Sequence, residues 1–299
     1  GTGAFTGAVT VIGGGTMGQG IATAVLLAGL ATTVVDVDTA ALERARATIA
    51  RRMERAGAPD GTAAVARSAI ASGLTLSPDL EASVAKADVV IEAVPEIIEL
   101  KLDIFRRLAS AARDDALLLS NTSTMSVSRL AQACGGSERV IGMHFFNPAH
   151  RMALVEIVTA ETSSPATVRD ALDFATTLGK DPVVVRDVPG FITSRLGLLL
   201  GTEAMRMVEE GVARAEDIDK AMRLGYGHPL GPLELADLVG LDARLNNLRS
   251  MRERSQLPQY APPPILEQLV AEGRLGKKTR SGFYEYDADG AIITAELRP

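Results

Sequence analysis

Tryptophan is absent from the 299-residue chain, and the aromatic residues together make up 4% of it. That excludes the stacking platforms on which single-stranded nucleic acids are held. Positive charge is not in surplus either. The net charge is −6, with 31 Lys and Arg against 37 Asp and Glu, so the basic footprint of a DNA- or RNA-binding protein is missing. The partners to expect are small molecules or proteins, not nucleic acid. Cysteine occurs once, as Cys134. An internal disulfide and a Cys-based zinc site are therefore ruled out, no metal is expected, and a reducing cytoplasm is the simplest compartment. A lone cysteine of this kind reads as a small buried hydrophobe. No apolar run reaches the roughly 18 residues of a membrane span. The opening "GTGAFTG" has neither the basic region nor the apolar core of a signal peptide.

What the chain does have is apolar mass. It is 46% hydrophobic, and its length suits two domains of ordinary size. Up to about residue 186, strand and helix patterns alternate. "AVTVI" (8–12), "TTVVDVD" (32–38), "ADVVIEAV" (87–94), "ALLLSNTS" (116–123, with its exit loop), "RVIGMHFF" (139–146), "LVEIVTA" (154–160) and "PVVVR" (182–186) read as strands. Between them lie helical patterns at 17–29, 42–56, 96–112, 125–134 and 167–178. A turn at 58–62 and a short helix at 63–72 complete a helical hairpin inserted after the second strand, over about residues 40–72. This is the order of a doubly wound α/β domain, Rossmann-type, expected over residues 1–187. After Pro189-Gly190 strand signals vanish. Helical patterns at 191–211, 216–224, 232–253 and 263–273, with a turn-rich tail, predict an all-helical second domain over residues 188–299. Helices as apolar as "LGLLLGTEAM" must be covered by each other or by a second subunit.

Gly13-Gly14-Gly15-Thr16-Met17-Gly18 fits G-x-G-x-x-G and has the required context: a strand before it, a helix after it, and an acid, Asp36, ending the next strand. Each part has a task in holding a dinucleotide. Gly13 permits the tight turn and Gly15 lets the backbone approach the pyrophosphate. Thr16 and Met17 open the helix whose N-terminus faces the phosphates, and Gly18 allows close packing of helix on strand. Asp36 can accept hydrogen bonds from ribose hydroxyls and would repel a 2′-phosphate. Val37 and Asp38 follow it, with no Arg, so NAD is favoured over NADP.

Of the three histidines, His150 and His228 read as structural, one after Asn147-Pro148 and one in the turn "GHPLGP". His144 differs because it sits at a strand end, where open α/β sheets place their chemistry. Glu156 lies inside the apolar run "LVEIV", where a carboxylate is costly unless paired. A His facing that Glu would satisfy both groups, and the pair is suited to take a proton from an alcohol.

The blocks "GGGTMGQGIA", "SNTST", "HFFNPAHRMALVEI", "GKDPVVVRDVPGFITSR", "HPLGPLELADLVGLD" and "GRLGKKTRSGFYEY" together resemble the L-3-hydroxyacyl-CoA dehydrogenases, including the 3-hydroxybutyryl-CoA enzymes. The resemblance runs in order over residues 8–286. It implies that an L-3-hydroxyacyl thioester, most simply a short-chain CoA ester, is oxidised to the 3-ketoacyl thioester by NAD. In that family's pattern His144 is the general base and Glu156 its partner. Ser120 bonds the reacting oxygen, and Asn147 holds the nicotinamide end. Glu96 and Lys101 lie near the cofactor, and Lys278 closes over it. The helical domain completes the cleft and forms a homodimer.

Three departures from the pattern concern the acyl group and its carrier. Ser194 stands where the family has Asn in "GF-x-x-N-R". Arg51, Arg52 and Arg55 occupy the inserted hairpin where the family carries a serine and lysines toward the CoA tail. Arg280 follows "KT" where the family prefers Gly. The same chemistry on an acyl group held by an acyl carrier protein stays open on these grounds, as does a free hydroxy acid, the substrate of gulonate-dehydrogenase relatives. A non-catalytic, crystallin-like NAD-binding protein would need no base, and the presence of Ser120, His144 and Glu156 argues against it.

Overall fold

The run Val-Thr-Val-Ile forms β1 (Val9–Ile12) in the computed structural model, which describes residues 5–56 and 73–294. All four residues of β1 are buried, as expected of a central parallel strand covered on both faces. α1 (Thr16–Leu27), β2 (Thr32–Val35) and α2 (Thr39–Ala56) follow. β2 lies parallel to β1, in register Val9 to Thr32, completing the β-α-β unit. The turn and second helix expected over 58–72 lie outside the described residues.

Next come β3 (Leu74–Ser77), α3 (Leu80–Val84), β4 (Val89–Glu92), α4 (Ile98–Ala111), β5 (Leu117–Ser120) and α5 (Val127–Ala133). β3 carries a weak sequence signal, "LTLS", with only Leu74 fully buried. It holds its place at one sheet edge through its backbone pairing with β2. β6 (Val140–Phe145), β7 (Leu154–Thr159), α6 (Pro165–Thr177) and β8 (Asp181–Arg186) complete the sheet, whose strand order is β3-β2-β1-β4-β5-β6-β7-β8.

One pairing departs from parallel. β6 and β7 run antiparallel, with His144 directly opposite Glu156. The connection from Phe145 to Leu154 is too short for the crossover that a parallel pair needs, so the chain must turn back. Apolar side chains cover both faces of the sheet. Ile21, Val25, Ile49 and Phe174 pack on one side, and Phe105, Leu108, Leu130 and Leu118 on the other. This unit ends at Phe191.

The second unit contains α7 (Thr193–Glu209), α8 (Ala215–Tyr226), α9 (Pro232–Val239), α10 (Leu241–Ser255) and α11 (Pro264–Ala271), with its own core around Leu233, Leu245, Tyr260 and Phe283. The single helix expected over 232–253 is two helices. Gly240, at φ 103°, lies in a region closed to other residues and breaks it. The tail is also more ordered than a run of turns. β9 (Glu285–Tyr286) and β10 (Ile292–Thr294) form a small antiparallel hairpin, so the unit is mostly rather than wholly helical.

Two buried aspartates tie this unit together. Asp219 accepts hydrogen bonds from the Leu233 and Glu234 amides and from the Tyr284 hydroxyl, each at 2.8 Å. Asp237 accepts from the Phe283 amide (3.0 Å), the Tyr284 amide (2.9 Å) and the Tyr286 hydroxyl (3.0 Å). Burial pushes the Asp237 carboxyl up to about 6, against the opposing pull of those donors. The native state therefore keeps a proton that the unfolded chain has released. Stability should fall as pH rises from about 4 to about 6, by on the order of 3 kcal/mol for a shift of this size. Urea unfolding across that range should show the slope in the wild type but not in Asp237→Asn; parallel curves would remove this group as the cause.

Arg280 occupies a left-handed position, φ 61°, which explains why a glycine suits the residue after "KT". Its side chain is exposed. Arg280→Gly should raise stability by about 1 kcal/mol, because the steric cost of the left-handed backbone is removed. An unchanged or lowered melting temperature would contradict this.

Candidate active site

Where the strand ends of the first unit meet the glycine loop, a cavity of about 1000 Å³ opens. Gly13, Gly15, Thr16 and Met17 line it, as do Asp36, Glu96, Lys101, Ser123 and His144. Gly13 has φ 108°, and a Cβ there would press on the Ala93 carbonyl oxygen at 2.7 Å. A Cβ on Gly18 would collide with the Gly13 carbonyl oxygen, so only glycine lets α1 sit this close to β1. A Cβ on Gly15 would meet nothing within 4 Å, which leaves the open side for a phosphate. The first turn of α1 carries no acidic residue to compete with that phosphate for the helix N-terminus.

Asp36 ends β2 and is held in place. Its Oδ2 accepts from the Gly14 amide at 2.7 Å and its Oδ1 from the Asp38 amide at 2.9 Å. The carboxylate keeps further lone pairs for ribose hydroxyls. Loop, helix terminus and acid thus fit NAD, which would bind through Gly13–Met17 and Asp36.

His144, on β6, also lines the cavity. Its Nδ1 lies 2.7 Å from Glu156 Oε2, and the Glu156 side chain is fully buried. The antiparallel register produces this contact, because directly opposed residues share a face of the sheet. Phe146 and Phe191 pack against the imidazole, with ring centroids 4.6 Å and 5.8 Å away. With Nδ1–H donating to Glu156, Nε2 is left as an acceptor.

Ser120 is not where the family pattern placed its function. It is fully buried, and its hydroxyl donates to Glu92 Oε2 at 2.7 Å. Ser120 is still in β5, so its side chain follows the pleat into the interior, whereas Ser123 lies beyond the strand and lines the cavity. Asn147 follows β6 and is exposed, outside the cavity lining. Ser194 is the second residue of α7, in the other unit, and is half-buried. Lys278, also in that unit, bonds both Asp242 carboxylate oxygens at 2.6 Å and so holds Asp242 below the usual carboxylate range.

Sequence reasoning passed over Glu92. It is fully buried and accepts from Lys101 Nζ (2.6 Å), the Val94 amide (2.8 Å) and the Ser120 hydroxyl. Lys101, 1% exposed, also reaches Glu96 at 3.1 Å. Burial alone would raise Glu96, but the charge of Lys101 and the donors on Ser123 and Thr122 hold it below its ordinary value. Cys134 is buried, and burial pushes its thiol up, away from nucleophilic use. Among the described residues no cluster of three His, Cys, Asp or Glu could hold a metal ion, and no helix is long and apolar enough to cross a membrane.

Two family models match in succession. The 3-hydroxyacyl-CoA dehydrogenase NAD-binding domain covers residues 8–188, and the 3-hydroxyacyl-CoA dehydrogenase C-terminal domain covers 190–286. This chain belongs to the 3-hydroxyacyl-CoA dehydrogenase family. Mitochondrial hydroxyacyl-coenzyme A dehydrogenase of Sus scrofa is 39% identical over 285 residues, covering 93% of this chain and 90% of that protein. 3-Hydroxybutyryl-CoA dehydrogenase of Bradyrhizobium diazoefficiens is 39% identical over 278 residues, covering 93% and 94%. Among solved structures, (S)-3-hydroxybutyryl-CoA dehydrogenase from Ralstonia eutropha superposes with a TM-score of 0.89 at 35% identity, covering 94% of this chain and 99% of that one. In this dehydrogenase, then, the glycine loop and Asp36 belong to an NAD-binding domain.

Proposed function

We propose that this dehydrogenase oxidises an L-3-hydroxyacyl-CoA, of short chain length, to the 3-ketoacyl-CoA, with His144 as general base. The observation that carries the reading is the buried His144–Glu156 pair beside a cavity that the glycine loop and Asp36 also line. NAD, when bound, supplies the chemistry of hydride acceptance. The chain's own residues do the rest. Gly13–Met17 and Asp36 hold and orient the cofactor. His144 Nε2 takes the proton of the substrate hydroxyl, while Glu156 keeps the other ring nitrogen protonated and steadies the imidazolium that forms.

We assign the contact to the reacting oxygen to Ser123 in place of Ser120. Glu96 retains the Ser123 amide at 2.6 Å and the Thr122 hydroxyl at 2.9 Å as donors when the Ser123 hydroxyl turns to the substrate. Asn147, Ser194 and Lys278 complete the reading. Asn147 serves the nicotinamide end, Ser194 the substrate and Lys278 the closed cofactor site. The working form in this reading is a cytoplasmic homodimer, with residues 1–187 as the cofactor domain and 188–299 as the substrate and dimerisation domain.

Oxidation of NADH is the direct test, with acetoacetyl-CoA, longer 3-ketoacyl-CoAs and the same acyl groups on an acyl carrier protein. Good turnover of acetoacetyl-CoA is expected. Activity only on carrier-bound groups would move the substrate to that class, and no activity on any thioester would overturn the reading.

A further inference from the structure

The cavity of the first unit has a second acid in its wall beside Asp36. Asp38 lines it, as do Arg44, Lys101 and Arg107. The two acids are joined directly, since the Asp38 amide donates to Asp36 Oδ1 at 2.9 Å. The Asp38 carboxylate then makes two contacts of its own. Oδ1 accepts from the Ala40 amide at 2.8 Å and so caps α2. Oδ2 accepts from Arg44 Nη2 at 3.1 Å. The Ala40 amide, assisted by Arg44, holds Asp38 below the usual carboxylate range.

The basic groups of this wall are not equally free. Lys101 is buried between Glu92 and Glu96. Arg107 is clamped by both Glu81 oxygens, at 2.7 Å and 3.1 Å. Among the described residues Arg44 is held by one hydrogen bond, to Asp38, and its side chain is 66% exposed. A guanidinium in this place is the group that a 2′-phosphate would seek, because it matches phosphate oxygens in charge and shape. Asp36 repels a 2′-phosphate, but a free Arg44 in the same wall would offset that repulsion. Asp38 presents Arg44 with an anion already.

We propose that Asp38 is a second selector for NAD, occupying Arg44 as an internal stand-in for the 2′-phosphate. NADP is then rejected twice, by the charge of Asp36 and by the engagement of Arg44 with Asp38. The inference rests on the reading that Asp36 meets the adenosine ribose. Asp38 is a positioning residue that acts through Arg44 and has no need to touch the cofactor. The wall thus holds a latent NADP site, which removal of Asp36 alone exposes only in part.

Fluorescence titration of the full chain with NADPH and with NADH gives the ratio of the two dissociation constants. Asp38→Asn keeps the cap, because the amide oxygen can still accept from Ala40. It turns an N–H toward Arg44 in place of Oδ2 and so releases the guanidinium. Asp36→Ser should move the ratio toward NADPH by removing the repulsion. Adding Asp38→Asn should move it about 10-fold further, the low end for a hydrogen bond between charged groups, since Arg44 is largely exposed. Adding Arg44→Met as well should cancel this second step and leave the first. Raised salt should also shrink the second step. A role for Asp38 in the fold alone would change both affinities alike and leave the ratio fixed. A second step that is absent, or that survives Arg44→Met, overturns the proposal while the place of the ribose stands. Asp36→Ser with the wild-type ratio overturns the place of the ribose and the proposal together.

Discussion

His144→Ala should lower turnover by roughly 10²–10⁴-fold, the usual contribution of a positioned general base, while NADH still binds with near-normal affinity. The separation is expected because the glycine loop and Asp36 follow β1 and β2, whereas His144 stands on β6, three or more strands along the sheet. Fluorescence titration with NADH measures the first property and steady-state reduction of acetoacetyl-CoA the second. Glu156→Gln is the sharper variant. It preserves shape and a hydrogen bond at the position where Glu156 Oε2 now lies 2.7 Å from Nδ1. An amide can, however, present its N–H to Nδ1, and the ring then carries its proton on Nε2. That tautomer donates where the reaction needs an acceptor. The expected loss is again about 100-fold or more, with no fall in melting temperature. Near-normal turnover of purified His144→Ala would remove the histidine from the chemistry.

Much of this site can be read in the sequence because it depends on local chemistry. A glycine pattern between a strand and a helix has few physical meanings, and the structure gives Gly13 and Gly18 the constraints that the pattern requires. The His144–Glu156 pair was inferred from cost alone, since a carboxylate inside "LVEIV" needs a partner. What the residues could not convey was register. The opposition of His144 and Glu156 depends on β7 turning back against β6, and periodicity carries no strand direction. The same limit misplaced Ser120. In "SNTST" four hydroxyl residues compete, and the strand's exit point decides which one faces the cavity. Gly240 and the β9–β10 hairpin were missed for a different reason. An apolar period continued across the glycine, and the hairpin strands are too short to establish a pattern.

Glu92 was the least visible, and its network gives the second large prediction. It ends an apolar run that reads simply as a buried strand, with no hint that Lys101, nine positions later on α4, returns to it. The two carboxylates and one lysine join β4, the start of α4 and, through Ser120, Thr122 and Ser123, the end of β5 and its exit loop. Lys101→Met would leave Glu92 fully buried without its cation, and Glu96 without the charge that holds it ionised. Breaking a buried pair in this way costs about 3–5 kcal/mol. In a unit of this size that is a fall in melting temperature on the order of 10 °C. Adding Glu92→Gln should recover a large part of the loss. The amide oxygen can still accept from the Val94 amide, the amide nitrogen in the place of Oε2 can donate to the Ser120 hydroxyl oxygen, and no uncompensated charge remains at that position. A single variant as stable as the wild type, or a double variant less stable than the single one, would refute the ion pair as the source of this stability. Because Ser123 and Glu96 line the cavity, the single variant should also raise the KM for NAD, and the double variant should restore it only in part. Loop position would recover with the fold, but the lysine at the cavity wall would still be missing.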